Sequence, residues 1–147
     1  MRVAIDTNVF VRLLSGDEAS VLIVQAALEA AAVRGRLAVS PAVYAELAAG
    51  RTVGVVDDFF SAKGIEVDWH HGPEVWREAG SRYGRYARDR RGQVGDAGPR
   101  RILADFLIGA HALLMCEANL LTSDTRIFAK YFPELRVISP AASDTDT

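Results

Sequence analysis

The chain has 147 residues, 50% apolar and 24% charged, with a net charge of −2. That length favours one domain able to bury a core without disulfides, and the balance excludes a chain disordered throughout. A single cysteine, Cys116, excludes an internal disulfide, and no Cys and His cluster has zinc-ligand spacing, so a reducing, cytoplasmic setting is expected.

The first residues place Asp6 where a signal peptide needs its apolar segment, and the longest apolar stretch, residues 106–116, is too short to cross a bilayer. No membrane association is expected. Short apolar runs alternate with amphipathic or Ala-rich stretches, the pattern of an α/β domain with a mostly parallel sheet flanked by helices. Residues 3–5 read as the first strand, ending at Asp6, and 8–14 as a short helix stopped by Ser15 and Gly16. Asp17 caps an Ala-rich helix over 18–33, and 37–39 is the second strand. Ser40 followed by Pro41 starts the helix that carries Glu46, because Ser accepts from free N–H groups and Pro fits the first turn.

A helix over 53–62, a strand over 65–67 and a helix from Pro73 follow, the last weakened by Gly80 and Gly84. Residues 92–99 read as a loop. Residues 102–118 form a strongly apolar helix, 120–122 a strand, 125–131 a short helix and 137–138 a final strand. The expected organisation is one domain over 1–140 and a disordered tail over 141–147.

Four carboxylates stand out. Asp6 and Asp124 each follow an apolar strand, and open parallel sheets bind ligands beyond the carboxyl ends of their strands. Either acid alone is equally well explained as a helix cap. Glu46 shares helical spacing with Val43, Leu47 and Gly50 and is expected to interrupt an apolar stripe. Asp105 is sharper, since from residue 102 to 116 the only other ionisable side chains are His111 and Cys116. A buried carboxylate must be protonated, paired or metal-bound, and the bland partners, Arg100 and Arg101, are adjacent in sequence and point elsewhere on a helix. Acids held by separate elements repel unless a cation lies between them, and carboxylates without His or Cys select Mg²⁺ or Mn²⁺ over zinc. His111 lies far round the helix from Asp105 and reads as a core or interface residue.

Charge is unevenly placed. From Arg77 to Arg101 eight arginines face three acids, a local balance of +5 that leaves −7 on the rest. Arg82, Arg85, Arg88, Arg90 and Arg91 could track phosphates, or be a solvated face. Trp69, Trp76, Tyr83 and Tyr86 lie near them and could stack bases or simply pack.

Four motifs in order, Ile5-Asp6-Thr7-Asn8, Tyr44-Ala45-Glu46-Leu47, the run from Ile102 to Ala112 around Asp105, and Leu121-Thr122-Ser123-Asp124, resemble the PIN-domain ribonucleases. The likeness extends particularly to the VapC-like toxins of bacterial type II toxin–antitoxin pairs, and Tyr131-Phe132-Pro133 before Val137-Ile138 supports the same subgroup. The resemblance implies that Asp6, Glu46, Asp105 and Asp124 hold Mg²⁺ or Mn²⁺ and form the catalytic set, assisted by Thr7, Asn8 and Ser123. It also implies an RNA substrate, an antitoxin partner and a homodimer. Ser123 departs from the many relatives that have Arg before the fourth acid. Competing readings are a housekeeping RNA-processing nuclease, a catalytically silent RNA- or partner-binding domain, and a metal phosphatase. The common aspartyl-phosphate type of phosphatase needs an Asp where this chain has Asn8.

Overall fold

The computed structural model describes residues 1–92 and 102–140. Strands β1 (Arg2–Ile5), β2 (Arg36–Val39), β3 (Glu66–Val67), β4 (Asn119–Leu121) and β5 (Arg136–Ile138) form one parallel sheet in the order β3-β2-β1-β4-β5. The helices among the described residues are α1 (Thr7–Ser15), α2 (Glu18–Arg34), α3 (Pro41–Ala49), α4 (Val53–Lys63), α5 (Pro73–Arg91), α6 (Leu103–Met115) and α7 (Thr125–Tyr131). This is the α/β architecture expected. The loop over 92–99, beyond Gly92, and the tail over 141–147 lie outside the described residues.

Local chemistry explains the boundaries. Asp17 accepts the Ser20 amide at 2.8 Å and Ser40 accepts the Ala42 amide at 3.2 Å, so each satisfies a free donor at a helix start. Gly64 ends α4 at φ 67°, a left-handed conformation that glycine adopts without penalty. The apolar helix expected to run to 118 stops at Met115, because Glu117 and Ala118 turn left-handed (φ 53° and 64°) and redirect the chain into β4. Gly80 and Gly84 do not interrupt α5, which continues to Arg91.

The core lies on both faces of the sheet. Val3, Ile5, Leu37, Val39, Leu120 and Leu121 are buried, and Phe10, Phe60, Phe106 and Phe132 fill the space between sheet and helices. A methyl on Gly109 would stand 2.5 Å from the Phe132 ring, so this glycine permits the close approach of α6 to that ring.

The topology places one feature. From β1 the chain moves outward to β2 and β3, then returns past β1 to β4 and β5. Right-handed crossovers in opposite directions put their helices on opposite faces, and the carboxyl ends of β1 and β4 flank the crevice between them.

Candidate metal centre

Asp6 ends β1 at that crevice and is 5% exposed. Its amide donates to Leu121 O of β4 at 3.0 Å, which joins the two strand ends. Three donors hold its carboxylate: Thr7 N–H to Oδ1 at 2.7 Å, and the Thr122 hydroxyl at 2.7 Å and Asn8 Nδ2 at 3.2 Å to Oδ2. Asp6 is therefore also the cap of α1. Thr122 is fully buried and its oxygen accepts from Asn8 Nδ2 at 3.3 Å and from the Asp124 amide at 2.9 Å. One hydroxyl thus links the first acid to the segment that carries the fourth.

Thr7 donates its hydroxyl to Glu46 Oε1 at 2.6 Å, tying α3 to α1. Glu46 does not interrupt an apolar stripe: Val43 and Leu47 are buried, whereas Glu46 is exposed, turned off their face toward the strand ends. Asp105 is likewise only partly buried, because α6 begins at Leu103 and Asp105 occupies its first turn. Asp105 Oδ2 accepts the Ile102 amide at 3.2 Å, which fixes the side chain at the helix start. Arg100 and Arg101 lie outside the described residues. Asp124 precedes α7 but makes no side-chain cap to it, unlike the capping role that its position allowed. Ser123 donates its amide to Asn8 Oδ1 at 3.1 Å and accepts from Arg12 Nη1 at 3.0 Å, so an arginine reaches this position from α1.

Electrostatics couple these groups. Burial raises the Asp6 carboxyl most, the Thr122 hydroxyl pulls it down, Asp105 pushes it up, the Thr7 amide pulls it down and Glu46 pushes it up. The balance is a pKa of about 6 against the ordinary 3.8. Two acids from α3 and α6 therefore act on Asp6 at the carboxyl edge of the sheet. Carboxylate oxygens of this kind are the donor set of Mg²⁺ and Mn²⁺.

A second set of potential ligands was not legible in sequence spacing. Asp68, His111 and Cys116 each bring one ligand atom within 4.8 Å of the others, a group that could hold a metal ion. Their present partners are one another and Arg2. His111 Nε2 lies 2.7 Å from Asp68 Oδ2, the Cys116 sulfur 3.7 Å from His111 Nε2, and Arg2 donates to Asp68 Oδ1 at 2.7 Å. Burial raises the Cys116 thiol to about 12. For Asp68 burial acts upward, but hydrogen bonds from Arg2 and His111 outweigh it and hold the carboxyl below its ordinary value. Here the Arg2 guanidinium neutralises the Asp68 carboxylate in a half-buried ion pair, and a cation at this group would have to compete with Arg2 for it.

The arginine stretch divides. Arg82 is engaged within the chain: it meets Glu78 at 2.6 Å and Glu134 at 2.5 Å, donates to Tyr131 O at 2.9 Å and lies 4.6 Å from the Phe132 ring centre. Its hydrogen bond holds Glu134 down at about 2. Arg85 sits over the Tyr131 ring at 5.3 Å. Arg88, Arg90 and Arg91 occupy the last turn of α5, where Arg88 and Arg91 are exposed. Tyr83 and Tyr86 pack on Phe106 at 5.2 and 5.5 Å, which makes them part of the core, whereas Trp69 and Trp76 stay more than half exposed.

Thr122 is the residue that the sequence did not single out. Its signal was the placement of a hydroxyl after an apolar strand, but recognising it required knowing that β4 lies beside β1.

The family model described as "PIN domain" matches residues 3–132. No curated protein matches significantly. Among solved structures the chain is similar to VapBC2 from Rickettsia felis bound to a promoter DNA fragment, at 22% identity and a TM-score of 0.63, over 95% of this chain and 98% of that one. It is similar to a toxin–antitoxin complex from Klebsiella pneumoniae at 21% identity and a TM-score of 0.65, over 94% and 97%. A third likeness is to VapBC-1 from nontypeable Haemophilus influenzae, at 18% identity and a TM-score of 0.62, over 95% and 98%. At these identities the likenesses show the fold.

Proposed function

The chain belongs to the PIN-domain family, and from that premise we propose that it is a Mg²⁺- or Mn²⁺-dependent endoribonuclease, the VapC-like toxin of a bacterial toxin–antitoxin pair. The observation that carries the reading is the Asp6 carboxyl at the ends of β1 and β4, driven up first by its burial and then by Asp105 and Glu46. A protein that leaves such repulsion in a crevice gains by placing a cation there. Asp6, Glu46, Asp105 and Asp124 would hold it.

When bound, the metal activates water and offsets the charge that develops on the phosphoryl oxygens. The chain's own contribution is preorganisation. Thr122, Asn8 and the Thr7 amide aim Asp6, the Thr7 hydroxyl aims Glu46, and the Ile102 amide aims Asp105, so little reorientation is needed as charge develops. Water adds to phosphorus in line as the P–O3′ bond breaks, leaving a 3′-hydroxyl and a 5′-phosphate. The acids form no covalent bond to the substrate. Arg88, Arg90 and Arg91, with Arg85 behind them, would meet the RNA backbone, whereas Arg82 is taken up by Glu78 and Glu134.

One of the similar solved structures is described as a toxin–antitoxin complex and two as VapBC proteins, which supports a cognate antitoxin as partner. A homodimer in the cytoplasm completes the proposal. The test is cleavage of RNA in Mn²⁺, in EDTA, and by Asp105→Asn, whose amide oxygen can still accept from Ile102. Cleavage should require metal and fall more than tenfold in the variant, the effect of losing about 1.4 kcal/mol of transition-state stabilisation, with circular dichroism unchanged. Retained activity would remove Asp105 from the site.

A further inference from the structure

Arg12 stands on α1 one turn beyond Asn8, and side chains four residues apart on a helix are neighbours. Both reach Ser123. Asn8 Oδ1 accepts the Ser123 amide at 3.1 Å, Arg12 Nη1 donates to the Ser123 hydroxyl at 3.0 Å, and Asn8 Nδ2 continues to Asp6 Oδ2 at 3.2 Å. A run of hydrogen bonds through Ser123 and Asn8 therefore joins this guanidinium to the buried acid of the proposed centre.

Its partner sets Arg12 apart. A guanidinium held inside the fold ordinarily takes a carboxylate, as Arg2 takes Asp68 and Arg82 takes Glu78 and Glu134. Among the described residues no carboxylate lies at ion-pair distance from Arg12, and its side chain has the neutral Ser123 hydroxyl as its hydrogen-bond partner. The Asp17 carboxyl is lowered by the Ser20 hydrogen bonds first and by Arg12 only after them, and it is committed to capping α2. The charge is thus left over. Arg12 is half-buried and Ser123 exposed, so the tethered group meets solvent just past the end of β4. A guanidinium presents a planar fork of N–H donors that matches the paired oxygens of a phosphate, and the hydroxyl takes one donor of that fork.

We infer that Arg12 binds one backbone phosphate of the RNA beside the acids, with Ser123 holding the fork ready. The inference takes its substrate from the ribonuclease reading. A strand drawn to a crevice of carboxylates needs a cation at its edge that those carboxylates have not already neutralised, and Arg12 meets that need. Because the guanidinium is already tethered, little rotamer freedom remains to be lost on binding.

The experiment measures binding of the full-length protein in EDTA to a labelled single-stranded oligoribonucleotide, and to versions in which one linkage at a time is a neutral methylphosphonate. Cleavage of the unmodified strand is followed in Mn²⁺. One linkage should weaken binding to wild type by roughly tenfold to hundredfold, the range for loss of a hydrogen bond to a charged group. Arg12→Gln should bind unmodified RNA with that same loss and be indifferent to that linkage, and its log–log salt dependence should be shallower by about 0.7, the share of one phosphate contact to a single strand. Arg12→Lys keeps the charge without the fork, so it should hold the salt slope yet bind more weakly than wild type. Stabilisation by Mn²⁺ should match wild type in both variants, and in cleavage Arg12→Gln should raise KM more than it lowers kcat.

If every linkage that matters to wild type matters equally to Arg12→Gln, Arg12 touches no phosphate, and the inference falls while the nuclease reading stands. If Arg12→Gln loses its stabilisation by Mn²⁺ and keeps the wild-type linkage pattern, Arg12 only props the acids, which also overturns the inference. A linkage effect that depends on Arg12, without metal-dependent cleavage, keeps the phosphate contact and rejects the nuclease.

Discussion

Replacing Asp6 by Asn in the metal-free protein tests whether a buried carboxylate with Asp105 and Glu46 beside it is held ionised at a cost. The Asp6 carboxyl lies at about 6 in the folded chain against an ordinary 3.8. Its folded value is raised, so the folded state binds the proton more tightly than the unfolded state. Stability is therefore lost as pH rises from about 4 through about 6, and above that window the ionised group imposes its full cost. About two pH units at 1.36 kcal/mol each give a cost near 3 kcal/mol. The substitution also mispairs the Thr122 and Asn8 donors, which face Oδ2 and would meet an amide, an offset of about 1–2 kcal/mol. Asp6→Asn should thus be stabler than wild type by up to about 2 kcal/mol in EDTA at pH 7.5. At pH 4 the gain should vanish or reverse. Urea unfolding of both proteins at the two pH values measures this, because their difference cancels groups they share. Mn²⁺ should then stabilise wild type by mass action and the variant much less, and at lower concentration than Mg²⁺ does. If Asp6→Asn unfolds well below wild type at pH 7.5 without metal and gains as much from Mn²⁺, Asp6 is a structural cap and the proposed centre is wrong.

Arg82→Ala should cost about 1–2 kcal/mol of stability through its lost hydrogen bonds and its contact with Phe132, while Arg88→Glu with Arg91→Glu should leave stability alone. In RNA binding the double charge reversal should weaken affinity and flatten its salt dependence, and an unchanged salt slope would mark the end of α5 as a solvated face. A substrate with one 2′-deoxynucleotide just 5′ of the scissile bond should still be cut to a 5′-phosphate, because water and not the ribose hydroxyl attacks; a 2′,3′-cyclic phosphate product would reject that chemistry. Cys116, buried with its thiol at about 12, should react with an aromatic disulfide reagent only as the protein unfolds, and Co²⁺ should give no thiolate charge-transfer band. Such a band would turn Asp68, His111 and Cys116 from a half-buried hydrogen-bonded group into a metal site.

The elements were legible because each announces itself locally. Ser40-Pro41 and Asp17 mark helix starts by side-chain chemistry that acts within four residues, and the apolar runs around Val3, Leu37 and Leu120 suit strands buried on both faces. The structure reproduces those elements within a few residues. Where sequence failed, the interaction spanned the fold. Periodicity puts Glu46 on a stripe with Val43 and Leu47, but whether that edge of the stripe meets core or crevice depends on α1, whose Thr7 lies 39 residues away and supplies the hydrogen bond. Thr122 meets Asp6 across 116 residues, and Arg2 meets Asp68 across 66.

These misses bear on the chemistry differently. Glu46 is exposed and Asp105 partly exposed, each with one hydrogen bond described above, while Asp6 is buried and held by three hydroxyl and amide donors. An acid that is buried and held by three donors keeps one geometry, and the Thr7 and Ile102 hydrogen bonds orient its more exposed neighbours toward it. The fixed member stands at the end of β1, on one side of the crevice at which the strand order switches between β1 and β4. That is the position at which two strand ends part and a backbone-lined crevice forms without any special loop. A residue placed there needs only one hydroxyl from the adjoining strand to be oriented, and Thr122 provides it.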